Sequence, residues 1–174
     1  MFERCSEPLL SMFLGEALSR YLGSNLSYIC PELPLKKSNN QSTNIDFAFW
    51  NGESGWLLVE VKTTTQVPRP KQLEAYHTAS LKTVASLVDD VRTISRATTN
   101  NEKYAALVSR IEMHAPHNGH PRFLCVSPHR QNPVEQNSDW LKWISFAMLF
   151  EGFASVEHPE LWAIAGLLFL GPPT

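Results

Sequence analysis

Apolar residues recur along the chain with two periods, and the change of period marks the elements. From residue 6 to residue 22, Leu9, Leu10, Phe13, Leu14, Ala17, Leu18 and Tyr21 fall at helical spacing. Ser6 is an apt N-cap, Glu7 and Pro8 suit a first turn, and Gly23 suits the stop. Leu26 to Leu33 carries β-formers interrupted by prolines, the mark of an edge strand. Lys36 to Thr43 is polar and reads as a loop. Asn44–Trp50 and Trp56–Lys62 read as two strands around Asn51-Gly52-Glu53-Ser54-Gly55, a turn with two glycines.

Beyond Pro68 and Pro70 the period returns to that of a helix. Leu73, Tyr76, Ser80, Val84, Leu87, Val91 and Ile94 predict one long helix over 70–97. A shorter helix is predicted over Lys103–Ile111, a loop over His114–Pro121 and a strand over Arg122–Ser127. Asp139–Phe150 is predicted helical with Ser138 as its cap. Leu161–Leu170 suits either a buried strand or a helix. With no repeat or low-complexity tract, residues 1–174 read as one α/β domain with a small mixed sheet of four or five strands flanked by helices.

Composition narrows the class. An apolar share of 43% and a charged share of 18% belong to a folded chain rather than a disordered one. A net charge of -2 means that any nucleic-acid contact must rest on local basic patches. Cys5, Cys30 and Cys125 form no CxxC pair, so neither a zinc ribbon nor a disulfide framework is indicated. No apolar run is long enough to span a bilayer, and no signal-like start is seen. A cytoplasmic protein without membrane contact is the expectation.

The chemistry concentrates between Asp46 and Lys62. If the turn is symmetric about Glu53, Trp50 faces Trp56 and Asp46 faces Glu60 across the hairpin. Lys62 shares the face of Glu60, because a strand repeats every second residue. Two opposed carboxylates repel, and a hard cation such as Mg²⁺ removes the repulsion. Leu57, Leu58, Val59 and Val61 make the strand apolar, so Glu60 and Lys62 within it hold either a site or a buried ion pair. Gln72 and Tyr76 are four residues apart and lie on one face of the next helix, as site groups or as ordinary packing and solvated neighbours.

Glu60-Val61-Lys62 followed by Gln72-Leu73-Glu74-Ala75-Tyr76 resembles the PD-(D/E)XK nuclease superfamily, in the branch with a QxxxY motif found in RecB-type nucleases. The chain is also similar to small bacterial PD-(D/E)XK proteins. Ser6-Glu7-Pro8-Leu9-Leu10-Ser11, Phe123-Leu124-Cys125-Val126-Ser127-Pro128 and the Trp140–Phe146 segment carry that likeness. The resemblance covers roughly residues 6–150. It departs at Asn44-Ile45-Asp46, which lacks the signature proline, and at Ser11, which stands for a threonine.

The resemblance implies a restriction-endonuclease-like core and metal-dependent hydrolysis of DNA. Asp46, Glu60 and the Val61 carbonyl would hold Mg²⁺ (or Mn²⁺), and Lys62 would orient water and stabilise charge on the phosphate. Gln72 and Tyr76 would steady Lys62 or touch the DNA backbone. A further carboxylate would come from the first helix. Glu7 and Glu16 lie about half a turn apart, and Glu7, nearer the buried face, is preferred. The alternative is a catalytically inactive module of the same fold that binds nucleic acid or protein. Homodimer formation is left open.

Other signals are weaker. His114, His117 and His120 lack a fourth ligand. Cys125 reads as core rather than nucleophile, and Trp140 and Trp143 as packing residues. Lys36, Lys37, Arg69 and Lys71 flank the motif and suit either phosphate contacts or a solvated loop.

Overall fold

The hairpin around Gly52 and Gly55 forms with the expected register. Both glycines take positive φ, 34° and 82°, and Asn51 N–H donates to the Gly55 carbonyl at 2.9 Å. The computed structural model describes residues 7–37, 41–52, 55–62, 68–97, 101–114, 119–127 and 139–151, with backbone alone at 7–12, 101–103 and 150–151. Strand β2 (Ser42–Trp50) pairs antiparallel with β3 (Trp56–Val61) through Trp50↔Trp56, Phe49↔Leu57, Ala48↔Leu58 and Phe47↔Val59.

The sheet has five strands in the order β1-β2-β3-β4-β5. Strand β1 (Ser27–Lys36) is an edge, as its prolines require: Pro31 and Pro34 cannot donate to a ladder on both sides. It runs three residues beyond the predicted end at Leu33, and β2 starts two residues earlier than predicted. Of the loop expected over 36–43, Lys36, Ser42 and Thr43 are therefore strand residues, and Lys37 N–H donates to Gln41 O at 2.6 Å. The β1–β2 register shifts between Tyr28 and Cys30, and Glu32 holds a left-handed φ of 47°.

Strand β4 (Arg122–Ser127) lies parallel to β3, and β5 (Leu141–Ser145) parallel to β4. The helix predicted over 139–150 is thus mostly a strand. Only Phe146–Glu151, α5, is helical. Leu141, Ile144 and Ser145 are buried while Lys142 is exposed, and a run of five residues is too brief for its period to separate strand from helix. Ser145 ends the strand and its Oγ accepts from Met148 N–H at 3.0 Å, which starts α5.

The long helix predicted over 70–97 is two helices, α2 (Pro70–Ser80) and α3 (Val84–Ala97). Pro70 stands at the start of α2, where its missing N–H is harmless. The break falls at Leu81-Lys82-Thr83, and Thr83 Oγ1 accepts from Ser86 N–H at 3.2 Å as the cap of α3. Helix α4 (Asn101–Glu112) matches its predicted position within two residues.

Helices α2, α3 and α4 cover the sheet face that carries Trp56, Leu58, Phe123 and Cys125, through Tyr76, Ala79, Val84, Leu87, Val91 and Ile111. Helix α1 (Glu7–Leu22) and α5 cover the other face, where Leu14, Ala17, Leu18, Phe146 and Leu149 meet Phe47, Phe49, Leu57, Val59 and Val126. Strand β3 is buried on both sides, as its apolar run implies. Among the described residues no helix is long and apolar enough to cross a membrane. Ser6, Ser138 and Leu161–Leu170 lie outside the described residues.

Candidate functional site

Alternation along β3 puts Glu60 on the face with Trp56 and Leu58, under α2. Its surroundings are those of a core residue: it is 2% exposed. A carboxylate so buried needs donors, and three side chains supply them. Lys62 Nζ forms an ion pair with Oε1. Gln72 Nε2 donates to Oε1 at 2.9 Å, and Tyr76 OH donates to Oε2 at 2.6 Å. Gln72 Nε2 also donates to Tyr76 OH, at 2.5 Å. The one-turn spacing of Gln72 and Tyr76 on α2 lets both reach one carboxylate. Burial, reinforced by Glu60, pushes the Tyr76 hydroxyl far above its ordinary range, so it remains a donor.

Asp46 enters differently. The β2–β3 ladder ends at Phe47↔Val59, one step short of Asp46 and Glu60. Beyond it β3 stays with β4, and Lys62 N–H donates to Val126 O at 2.8 Å. Asp46 Oδ2 accepts from Val61 N–H at 2.7 Å. The Asp46 side chain thus stands where a strand partner's carbonyl would otherwise serve β3. Burial first, and then the Glu60 charge, push Asp46 up to about 7, against the opposing pull of Val61 N–H and Lys62.

Sequence reasoning missed two neighbours of this pair. Glu32 lies opposite Asp46 by register, between Pro31↔Phe47 and Leu33↔Ile45, and its charge also raises Asp46. Only the pairing of an edge strand around a bulge brings it there, and no local motif announces that. Cys125 sits beside Glu60 in the β3–β4 ladder. Burial, and then Glu60, hold its thiol well above the ordinary range, so it is a protonated core residue.

The helix carboxylates do not join the group among the described residues. Glu16 is exposed and pairs with Arg20 at 2.9 Å one turn along α1. Glu7 opens α1, and its side chain lies outside the described residues. Because α1 packs on the face opposite Glu60, a carboxylate from it would have to reach round the end of the sheet. His120 Nδ1 lies 3.1 Å from Lys82 O, the His114 carbonyl accepts from Trp56 Nε1 at 2.9 Å, and His117 lies outside the described residues. Trp140 packs on Phe123 and His77.

Among the described residues no group of three or more His, Cys, Asp or Glu side chains is arranged to hold a metal ion. The donor set around Asp46 and Glu60 is two carboxylates and neighbouring backbone carbonyls. That set fits Mg²⁺ in kind, since Mg²⁺ uses one or two carboxylates and retains several waters. Burial first and then the Glu60 charge hold Asp46 high, and a divalent cation would counter the second of these. Against this, both Glu60 oxygens already accept from side chains. No protein-family model, curated protein or solved structure matches the chain.

Proposed function

We propose that the chain is a metal-dependent phosphodiesterase acting on DNA, built on the restriction-endonuclease-like core of the PD-(D/E)XK superfamily. The observation that carries the reading is the convergence on Glu60. The ExK pair on β3 and the QxxxY pair on α2 are separate in sequence, yet Lys62, Gln72 and Tyr76 all bond to that one carboxylate. Chance occurrences of the two motifs would have no reason to meet.

In this reading Asp46, Glu60 and the Val61 carbonyl would hold Mg²⁺ or Mn²⁺, which supplies a water of lowered pKa and a Lewis acid for the scissile phosphate. Lys62 supplies a positive charge beside the phosphate and orients the attacking water. Gln72 and Tyr76 fix the Glu60 carboxylate plane, so that its oxygens do not wander as charge develops. The α/β sheet with helices on both faces accommodates that core. A reducing, cytoplasmic setting suits the buried free thiols of Cys30 and Cys125.

Purified protein with Mg²⁺ or Mn²⁺ should nick or degrade DNA. Glu60→Gln and Lys62→Ala should each lower the rate at least about a hundredfold, the scale of losing one group that stabilises charge in a transition state. Activity surviving both substitutions would sink the assignment.

One observation favours a second reading, an inactive module of the same fold that binds nucleic acid or protein: the protein's own donors already satisfy Glu60. Calorimetric titration separates the two. Mg²⁺ or Mn²⁺ binding abolished by Glu60→Gln supports the enzyme, whereas DNA binding without any metal binding supports the module.

A further inference from the structure

We propose that the cleft between α2 and the adjoining ends of β1 and β2 is a tract for the sugar-phosphate backbone of a DNA strand leading away from Glu60. The proposal rests on the nuclease reading and adds the path of the substrate to it. The cleft has a volume of about 400 Å³. Lys36 and Lys37 line it from the end of β1, Lys71 from α2, and Lys82 from beyond α2. Its two carboxylates are Glu74 and Asp90.

Four ammonium groups against two carboxylates leave a surplus of positive charge, in a chain whose net charge is -2. Lys82 is neutralised by its ion pair with Asp90. Among the described residues Lys36, Lys37 and Lys71 have no carboxylate within ion-pair distance. Three like charges around one concavity repel each other, and an anion with several phosphates removes that repulsion while releasing its counterions.

Placement ties the cleft to the site. Lys71 immediately precedes Gln72, which holds Glu60, and the helix turns its side chain about 100° away from that contact. Tyr76 OH lies 3.3 Å from the carbonyl of Asn44, and Ser42, two residues further along β2, pairs with Lys36. From Asp46 to Ser42 the strand covers about 13 Å, long enough to meet more than one phosphate of a DNA strand. Among the described residues no aromatic side chain lines the cleft. A tract without stacking partners grips the backbone and ignores the bases. Arg69, which sequence position alone grouped with these lysines, is not among the lining residues.

The test is binding of a short fluorescent DNA oligonucleotide in EDTA, read by anisotropy between about 50 and about 200 mM salt. Without metal no cleavage intervenes. K36Q/K37Q/K71Q should weaken binding at least about tenfold at low salt and reduce the slope of log K against log salt by about 2 to 3. The single variant K71Q should reduce it by less than one unit. Thermal melting checks that the variants fold. Unchanged affinity and slope, or no binding by the unsubstituted chain at low salt, overturns the proposal. Inorganic phosphate or a mononucleotide binding as tightly as the oligonucleotide also overturns it, since the cleft would then be a small-anion pocket. Cleavage that needs Glu60 but not the lysines leaves the nuclease reading standing and removes the tract. Lysine-dependent binding without any cleavage does the reverse.

Discussion

Glu60 accepts from Lys62, Gln72 and Tyr76 while almost wholly buried, so each donor offsets part of one desolvation cost. Tyr76→Phe should lower the unfolding free energy by about 2 kcal/mol, the scale of a hydrogen bond to a charged group. In a Glu60→Gln background the same change should matter less, and a double-mutant cycle by urea unfolding measures the coupling. Asp46 carries the opposite sign. Its folded pKa, about 7, lies above the unfolded value of about 3.9, so the folded state keeps a proton that the unfolded chain has lost. Its contribution to stability is complete below about pH 4, falls as pH rises, and is lost above about pH 7. Asp46→Asn should flatten that decline in denaturant midpoints measured between those limits. Asp46, Glu60 and Lys62 were legible because two glycines fix the turn and the turn fixes the register. Glu32 and Cys125 were not, because they reach the site through β1 and β4, whose pairing partners no local signal names.

Elements were legible where one period ran against a clear stop. The α2–α3 break escaped because Leu81-Lys82-Thr83 holds neither glycine nor proline and keeps Tyr76 and Val84 on one apolar stripe. The signal present was Thr83, a cap residue just before an apolar run. Thr83→Ala should cost about 1 kcal/mol, the usual worth of such a cap, as a lowered midpoint of chemical unfolding. The misread β5 has the reverse cause. Trp143 and Ile144 are β-formers, but in five residues an exposed Lys142 followed by a buried Ile144 and Ser145 gives no clean alternation. The strand becomes recognisable only when β4 stands parallel beside it.

At the scale of the molecule, two apolar layers meet across one sheet, and β3 lies between an antiparallel and a parallel neighbour. The fold class was readable because runs with strand period and runs with helix period both recur within one short chain. The order of the strands was not, because it depends on connections of many residues. Amides of Leu57 to Val59 should be among the slowest to exchange with deuterium, and those of β1 before its register shift among the fastest. Leu58→Ala, at the centre of the larger layer, should cost about 2–5 kcal/mol in unfolding free energy.

The Val61 N–H has its acceptor in a side chain, Asp46, and that gives this carboxylate two employments. On the nuclease reading proposed above, a descendant that lost cleavage could lose Lys62 once Glu60 became glutamine. It would still need an oxygen at position 46 to seat the end of β3, and asparagine would serve. An acidic or amide residue there therefore speaks for folding as much as for the proposed catalysis. On the proposed reading the more telling residue is Lys62, which forms its ion pair with Glu60 and donates nothing to the backbone of β3.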